Sequence, residues 1–358
     1  MTGNTPSDIV SKDGSTIGVG GFKWNPVEDT LQVKVPYLFF SKKSRGRLSE
    51  DTVFFDADIH NIEEFVPKDL TLRLVTSKFA SIFDYLGFLS PALARAKRLL
   101  RATCKATIGW NDSMSQDLRD KWLKEFVFIE KLRGLKYKRA KMTEDAIDSR
   151  MRILCGGDAA EEMLILGAWG GFKRIDGSWS CQLLVGKSLL SAETWTIPMG
   201  ELVALMGSGN LSRTILLALT EWIDPDMVYN FSDSNIALCW ASTEGKKMST
   251  FHRNRVVQIR RSINLKNLFH VKTKFQPCDI GTRPDKVNAE DVGPDSSWFN
   301  GLSWMHLDIE QAVEEEILTP VERLRLSDEE KKDYKRGLVI DSEPEILTYG
   351  HIATEKRI

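Results

Sequence analysis

The sequence predicts an α/β fold, α+β over the whole chain, in which a five-stranded sheet with flanking helices is preceded by a β-hairpin and a helical segment. Three observations predict it. Apolar residues recur at helical spacing from about residue 70 to 135. Strand-like runs then follow in the order β-β-β-α-β. Several of those runs end on an acidic residue, the arrangement from which open α/β sheets build sites.

The chain has 358 residues, of which 42% are hydrophobic, enough for two or three packed cores. Its formal net charge is -1, so nucleic-acid binding finds no support in an overall basic excess and must rest on local charge. The five cysteines, Cys104, Cys155, Cys181, Cys239 and Cys278, lie too far apart for a zinc knuckle or a redox pair and are expected as reduced thiols without zinc. No run of about 18 apolar residues occurs, and the N-terminus has no signal-peptide pattern; no membrane partner and an intracellular protein, cytoplasmic or nuclear, are expected.

Residues 1–15 read as a flexible leader. Ile17 to Trp24 and Leu31 to Val35 alternate apolar and polar residues around Asn25-Pro26-Val27-Glu28-Asp29, which predicts a hairpin, and residues 42–47 form a short basic loop. Leu70 to Cys104 predicts two helices broken near Gly87, with Ser90 and Pro91 opening the second. On that helix Arg95, Arg98 and Arg101 share a face that could lie along a phosphate backbone, or equally be solvated surface. Ser115 to Leu135 predicts a further helix, closed by Gly134. A domain boundary is expected near 138–150, giving a segment over 16–145 and an α/β domain over 150–290.

In that domain, strands are expected at Ile153-Leu154, Leu164 to Ile175, Trp179 to Leu190, Met227 to Ser232 and Leu268 to Thr273. Helices are expected over Pro198 to Trp222, Ser234 to Ala241 and Ser249 to Ser262. The acid-rich stretch from His306 onwards reads as a weakly packed linker with short helices, part of a terminal region over 291–358.

Four acids fall where the sheet could gather them: Asp158 at the end of the first strand, Glu201 early in the long helix, Asp233 at the end of the fourth strand and Asp279 after the last. Two-metal phosphodiester cleavage needs hard oxygen ligands around ions roughly 3.5 to 4 Å apart, and carboxylates supply both ligands and compensating charge. Taken singly, Asp233 before a helix is more often a cap than a ligand, Glu201 is equally explained by the helix dipole, and Asp279 could be only a turn residue. Their order on matching elements is what points to metal chemistry. His252 and His270 read as structural.

The pieces Ile197-Pro-Met-Gly-Glu-Leu202, Phe231-Ser-Asp-Ser-Asn-Ile-Ala-Leu-Cys-Trp240, Thr250-Phe-His-Arg-Asn-Arg-Val256 and Gln276-Pro-Cys-Asp-Ile-Gly-Thr-Arg-Pro284, with Ser297 to Trp304, resemble the ribonuclease H (RNase H) domain of BEL/Pao-type LTR retrotransposon polyproteins. Phe22 to Pro26 and Ser77 to Pro91 resemble the same family's connection and thumb-like segment before it. The resemblance implies an RNase H-like mixed five-stranded sheet and hydrolysis of the RNA strand of an RNA/DNA hybrid. It implies Asp158, Glu201, Asp233 and Asp279 as ligands of two Mg²⁺ or Mn²⁺ ions. Ser232, Ser234, Asn235, Lys246, Lys247, Arg253 and Arg255, together with Arg95, Arg98 and Arg101, are candidates for the nucleic-acid backbone. The implied partners are the hybrid and the rest of the polyprotein, polymerase and integrase, the acidic tail forming the link towards integrase.

The sequence departs from the family pattern at Ala160, where serine is usual, at the neighbouring Glu161 and Glu162, and at Gly200, where a bulky apolar residue is usual. No Tyr-x-Asp-Asp motif occurs, so DNA synthesis cannot reside in this chain. The family also carries a peptidase name, but Asp13-Gly-Ser15 and Asp176-Gly-Ser178 have the wrong order for an aspartic protease. The alternative reading is an inactive nucleic-acid-binding or scaffold remnant.

Overall fold

A computed structural model describes residues 17–35, 66–106, 109–245 and 247–338. The expected leader, the basic loop at 42–47, Lys246 and the end of the acidic tail lie outside the described residues.

The expected hairpin is present and larger than its sequence suggests. Gly20 and Gly21, both at positive φ, fold the first run back on itself into β1 (Ile17–Val19) and β2 (Phe22–Asn25). Asn25 caps the next turn by accepting from the backbone of Val27 and Glu28, and β3 (Thr30–Val33) follows. After α1 (Leu72–Ala80), α2 (Ser90–Ala106) and α3 (Gln116–Lys131), the chain returns as β4 (Lys136–Lys138) to complete an antiparallel sheet in the order β1-β2-β3-β4. Thr71 and Ser115 cap α1 and α3 through their hydroxyl groups, and Gly134 at φ 89 closes the turn after α3.

The second sheet contains β5 (Arg152–Ala159), β6 (Met163–Gly171), β7 (Gln182–Leu190), β8 (Val228–Ser232), β9 (Leu268–Val271) and β10 (Leu318–Pro320). Its order is β10-β9-β8-β5-β6-β7. β5, β8 and β9 are parallel neighbours, while β6, β7 and β10 pair antiparallel, so the sheet is mixed. Every residue of β5 and β6 is buried, as expected of strands covered on both faces. One face carries α4 (Ile197–Ala218), α5 (Asn235–Ser242) and α6 (Thr250–Ser262), with Ile153, Cys155 and Leu164 packed against Ala204, Leu211 and Ile215 of α4. The alternate residues Leu154, Ile165 and Trp169 face the other way, towards α2, α7 (Asp279–Thr282) and α8 (Ser297–Asn300).

The sheet therefore has six strands among the described residues, not five. The sixth comes from the stretch expected to be weakly packed. α9 (Ile309–Glu314) and α10 (Asp328–Arg336) flank it, Ile309, Leu318 and Tyr334 are buried, and Trp298, Phe299 and Trp304 lie in the core. Acid density hid this packing because the acids occupy the exposed positions between a few apolar anchors. Nor does the basic stretch near 138–150 separate two cores. Phe22, Phe88, Trp122, Tyr137, Trp169 and Trp298 belong to one continuous hydrophobic cluster, and Trp298 joins both sides by donating to the Phe88 carbonyl and accepting from Trp169 Nε1.

Gly87 sits where the helical segment meets the sheet. Its φ is 71°, and a Cβ there would lie 1.8 Å from the Gly186 carbonyl oxygen on β7. Both the left-handed backbone and the backbone contact demand glycine. Gly87→Ala is expected to cost about 2–4 kcal/mol, read as a lowered thermal midpoint against the unsubstituted protein.

Candidate active site

The register of the parallel pair β5 and β8 aligns Ile153 with Val228 and Gly156 with Phe231. Two residues further along, it brings Asp158 level with Asp233 at the carboxyl ends of adjacent strands. α4 lies on the other face of the sheet, and glycine lets it approach: a Cβ on Gly157 would meet the Ala204 carbonyl at 2.9 Å, and one on Gly200 would meet Ala159 Cβ at 3.2 Å. Thus Gly200, unusual for the resemblance, matches the small residue beside it on β5. Glu201, one residue on, reaches over the same strand ends. α7 supplies Asp279 from the opposite side, with Gly281 fitted against Ile165 of β6.

The acids feel one another's charge. Burial pushes the Asp158 carboxyl up to about 6, and the negative charges of Asp233 and Asp279 add to the effect. Burial likewise pushes Glu201 up to about 8, aided by Asp233 and Asp158 and opposed by the Ser234 hydroxyl. The Cys278 thiol is raised by burial and by the same two aspartates. Thr282 Oγ1 donates to Asp158 Oδ2 at 2.7 Å, and the Ala159 N–H donates to Oδ1 at 2.8 Å. Gln276 Nε2 lies 3.3 Å from both the Gly157 carbonyl and Asp233 Oδ1. Ser234, the N-cap of α5, accepts from Ala237 N–H and donates to Glu201. Asp279 pairs with Arg283 at 2.9 Å.

Gln276 and Thr282 were not singled out from the sequence. Both lie in the segment around Asp279, and Thr282 stands one helical turn after it; that spacing was the available signal. Glu161 and Glu162 lie in the β5–β6 turn, both exposed, and Glu162 pairs with Arg98 at 3.5 Å.

The nucleic-acid candidates divide. Ser232 is buried at the end of β8, its Oγ accepting from Ser234 N–H, and Asn235 donates its amide to Glu330 of α10 at 2.9 Å. Lys247 and Arg253 are exposed, whereas Arg255 folds over the Phe251 ring at 3.4 Å. The α2 arginines turn inward, contrary to the expected backbone-tracking face. Arg95 bonds Glu125 and the Val287 carbonyl, Arg98 pairs with Asp285 and Glu162, and Arg101 donates to the Ser191 carbonyl. Helical spacing identified their shared face but not the carboxylates and carbonyl ends it meets. His252 is 5% exposed, packed on Trp240 with a ring separation of 4.4 Å, and its Nδ1 is 2.7 Å from Ser249 Oγ. His270 on β9 is shifted down by burial, against the opposing influence of Asp233.

A cavity of about 480 Å³ opens beside the acids, lined by Glu201, Asp233, Ser234 and Asn235, with Glu330 and Asp333 of α10 opposite.

Residues 71–234 match the family described as "Pao retrotransposon-like RNaseH-like domain". Three of the four acids fall inside the matched RNaseH-like region, and Asp279 lies beyond it. Among solved structures, the chain is similar to a foamy viral protease-reverse transcriptase dRH in complex with double-stranded DNA. Identity is 13%, the TM-score 0.40, and coverage 72% of this chain and 38% of that one. It is also similar to the foamy viral protease-reverse transcriptase in complex with an RNA/DNA hybrid, with 14% identity, TM-score 0.38 and coverage of 72% and 29%. The chain thus spans well under half the length of either. No curated protein matches it.

Divalent cations are the group such a domain implies. Among the described residues, no three His, Cys, Asp or Glu side chains are drawn together closely enough to hold a metal ion. The hydroxyls of Ser234 and Thr282 hold Glu201 and Asp158 instead. Yet the donors fit in kind: the oxygens are hard, two of the carboxyls are disfavoured as anions, and no cationic side chain figures among the main influences on either. A bound cation would relieve that conflict.

Proposed function

We propose that this protein hydrolyses the RNA strand of RNA/DNA hybrids at the group formed by Asp158, Glu201, Asp233 and Asp279, as part of a retroelement polyprotein acting inside the cell, in cytoplasm or nucleus, beside polymerase and integrase. What supports this most is the β5–β8 parallel register, whose continuation past Gly156 and Phe231 brings Asp158 level with Asp233 just beyond the end of β8, with Glu201 influenced by both.

Two Mg²⁺ or Mn²⁺ ions held by the four carboxylates would activate the attacking water and stabilise the leaving oxygen. The remaining work falls to the chain. Thr282 and the Ala159 N–H fix the rotamer of Asp158, Gln276 ties Asp233 to the β5 backbone, and Ser234 aims Glu201. In this reading Ser234 and Asn235, at the start of α5, contact the sugar-phosphate backbone, with Lys246, Lys247 and Arg253 beyond them in sequence, whereas Ser232 is buried at the end of β8.

Asp233→Asn tests this reading. Metal-dependent cleavage of a labelled hybrid is expected to fall by roughly 10³-fold or more while hybrid binding survives. The remnant reading is favoured by one observation, the hydroxyls that hold the carboxylates apart from any ligand shell. It stands if the unsubstituted protein binds hybrid and cuts it in neither metal.

A further inference from the structure

The cavity beside the acids has the start of α4 and α5 on one side and α10 on the other. Glu330, Asp333 and Arg336 follow one another at i, i+3 and i+6, so a single face of α10 looks into it. Over its length α10 carries four acids and four bases, so its bulk charge is neutral and only the orientation matters. On the cavity wall four carboxylates, Glu201, Asp233, Glu330 and Asp333, stand against one guanidinium, Arg336, which is itself paired with Asp333.

Glu330 is held in place by its own helix cap, accepting from Ser327 N–H at 2.7 Å, and takes the amide of Asn235 at 2.9 Å. A phosphodiester arriving at the start of α5 would compete with that carboxylate for the same donor. Tyr334 is the one buried side chain of the helix, stacked on Trp240 at 6.3 Å, its carbonyl accepting from Trp240 Nε1 at 3.0 Å and its hydroxyl hydrogen-bonded to Thr243 at 2.8 Å; the rest of α10 buries no side chain. Elements with so few buried contacts open at low free-energy cost.

We infer that α10 is a displaceable cover that closes the cleft to polyanions and moves off when nucleic acid binds. This rests on the nucleic-acid reading above. Glu330 occupies the Asn235 amide and, with Asp333, repels an approaching strand; a seated strand takes the amide and frees the helix.

The test uses the Asp233→Asn protein, which is expected to bind hybrid without cutting it, with and without Glu330→Gln and Asp333→Asn. The glutamine amide oxygen still accepts from Asn235, so the bond survives and only the charge is removed. Hybrid affinity, read by fluorescence anisotropy at low salt, is expected to tighten about tenfold. Hydrogen exchange of the amides of residues 328–337 is expected to quicken on adding hybrid. Unchanged or weaker affinity in the charge-removed protein, or slower exchange in α10, overturns the inference. If the Asp233→Asn protein binds no hybrid at all, the nucleic-acid reading of the cleft fails first and the cover falls with it.

Discussion

Asp158→Asn is expected to abolish hybrid cleavage, by roughly 10³-fold or more, and at the same time to make the protein more stable. The two effects share a cause. Asp158 is buried and shares its surroundings with Asp233 and Asp279, so its charged form is disfavoured and its carboxyl is pushed up to about 6. The unfolded chain ionises near 3.8, so between those values folding takes up a proton and stability declines as pH rises. Asparagine keeps an acceptor for the Ala159 N–H and carries no charge. Its gain is therefore expected above pH 6, at about 1–2 kcal/mol, and should shrink towards pH 4. Urea unfolding at both ends of the range reads the difference. A loss of stability at high pH would mean that the buried charge is already compensated.

The second large effect lies away from the site. Arg95→Met is expected to cost about 3–5 kcal/mol because it leaves the Glu125 carboxylate, 4% exposed, without its counter-ion between α2 and α3. Burial holds Glu125 up at about 7 even beside Arg95, against an ordinary value of 4.5. Its contribution to stability is thus fully present below 4.5 and is lost as pH rises through 7. The deficit of the Arg95→Met protein should therefore be larger at pH 8 than at pH 5. Replacing both residues, Arg95→Met with Glu125→Met, should recover most of it, since two apolar side chains carry no desolvation penalty. Equal deficits at the two pH values would show that Arg95 acts through packing on Phe128, 4.0 Å away, and not through charge.

These two residues mark how much was legible in the sequence. The order of elements along the chain, the long helix and the positions of Asp158 and Asp233 at strand ends and Glu201 early in the helix could be read from periodicity and from where the acids fall, because those follow from local pattern. Arg95 could not be read correctly. Its spacing gives a helix face, but Glu125, Val287 and the β7 end that meet that face come from distant sequence. β10 escaped for a related reason: three residues, Leu318 to Pro320, carry no period of their own and exist as a strand only because β9 offers an open edge. Gln276 and Thr282 were hidden because a side chain that orients another leaves no trace in composition. The packing of α10 against α5 likewise depends on Trp240 and Tyr334, which are 94 positions apart.

The most direct test of the central claim is to incubate the purified chain with an RNA/DNA hybrid labelled on the RNA strand, in Mg²⁺, in Mn²⁺ and in chelator, alongside the matching DNA duplex. The account predicts that the RNA strand is cut in the presence of a divalent metal, that chelator stops cutting, and that the DNA duplex stays whole. An intact hybrid in both metals, or cutting that persists in chelator, would contradict it.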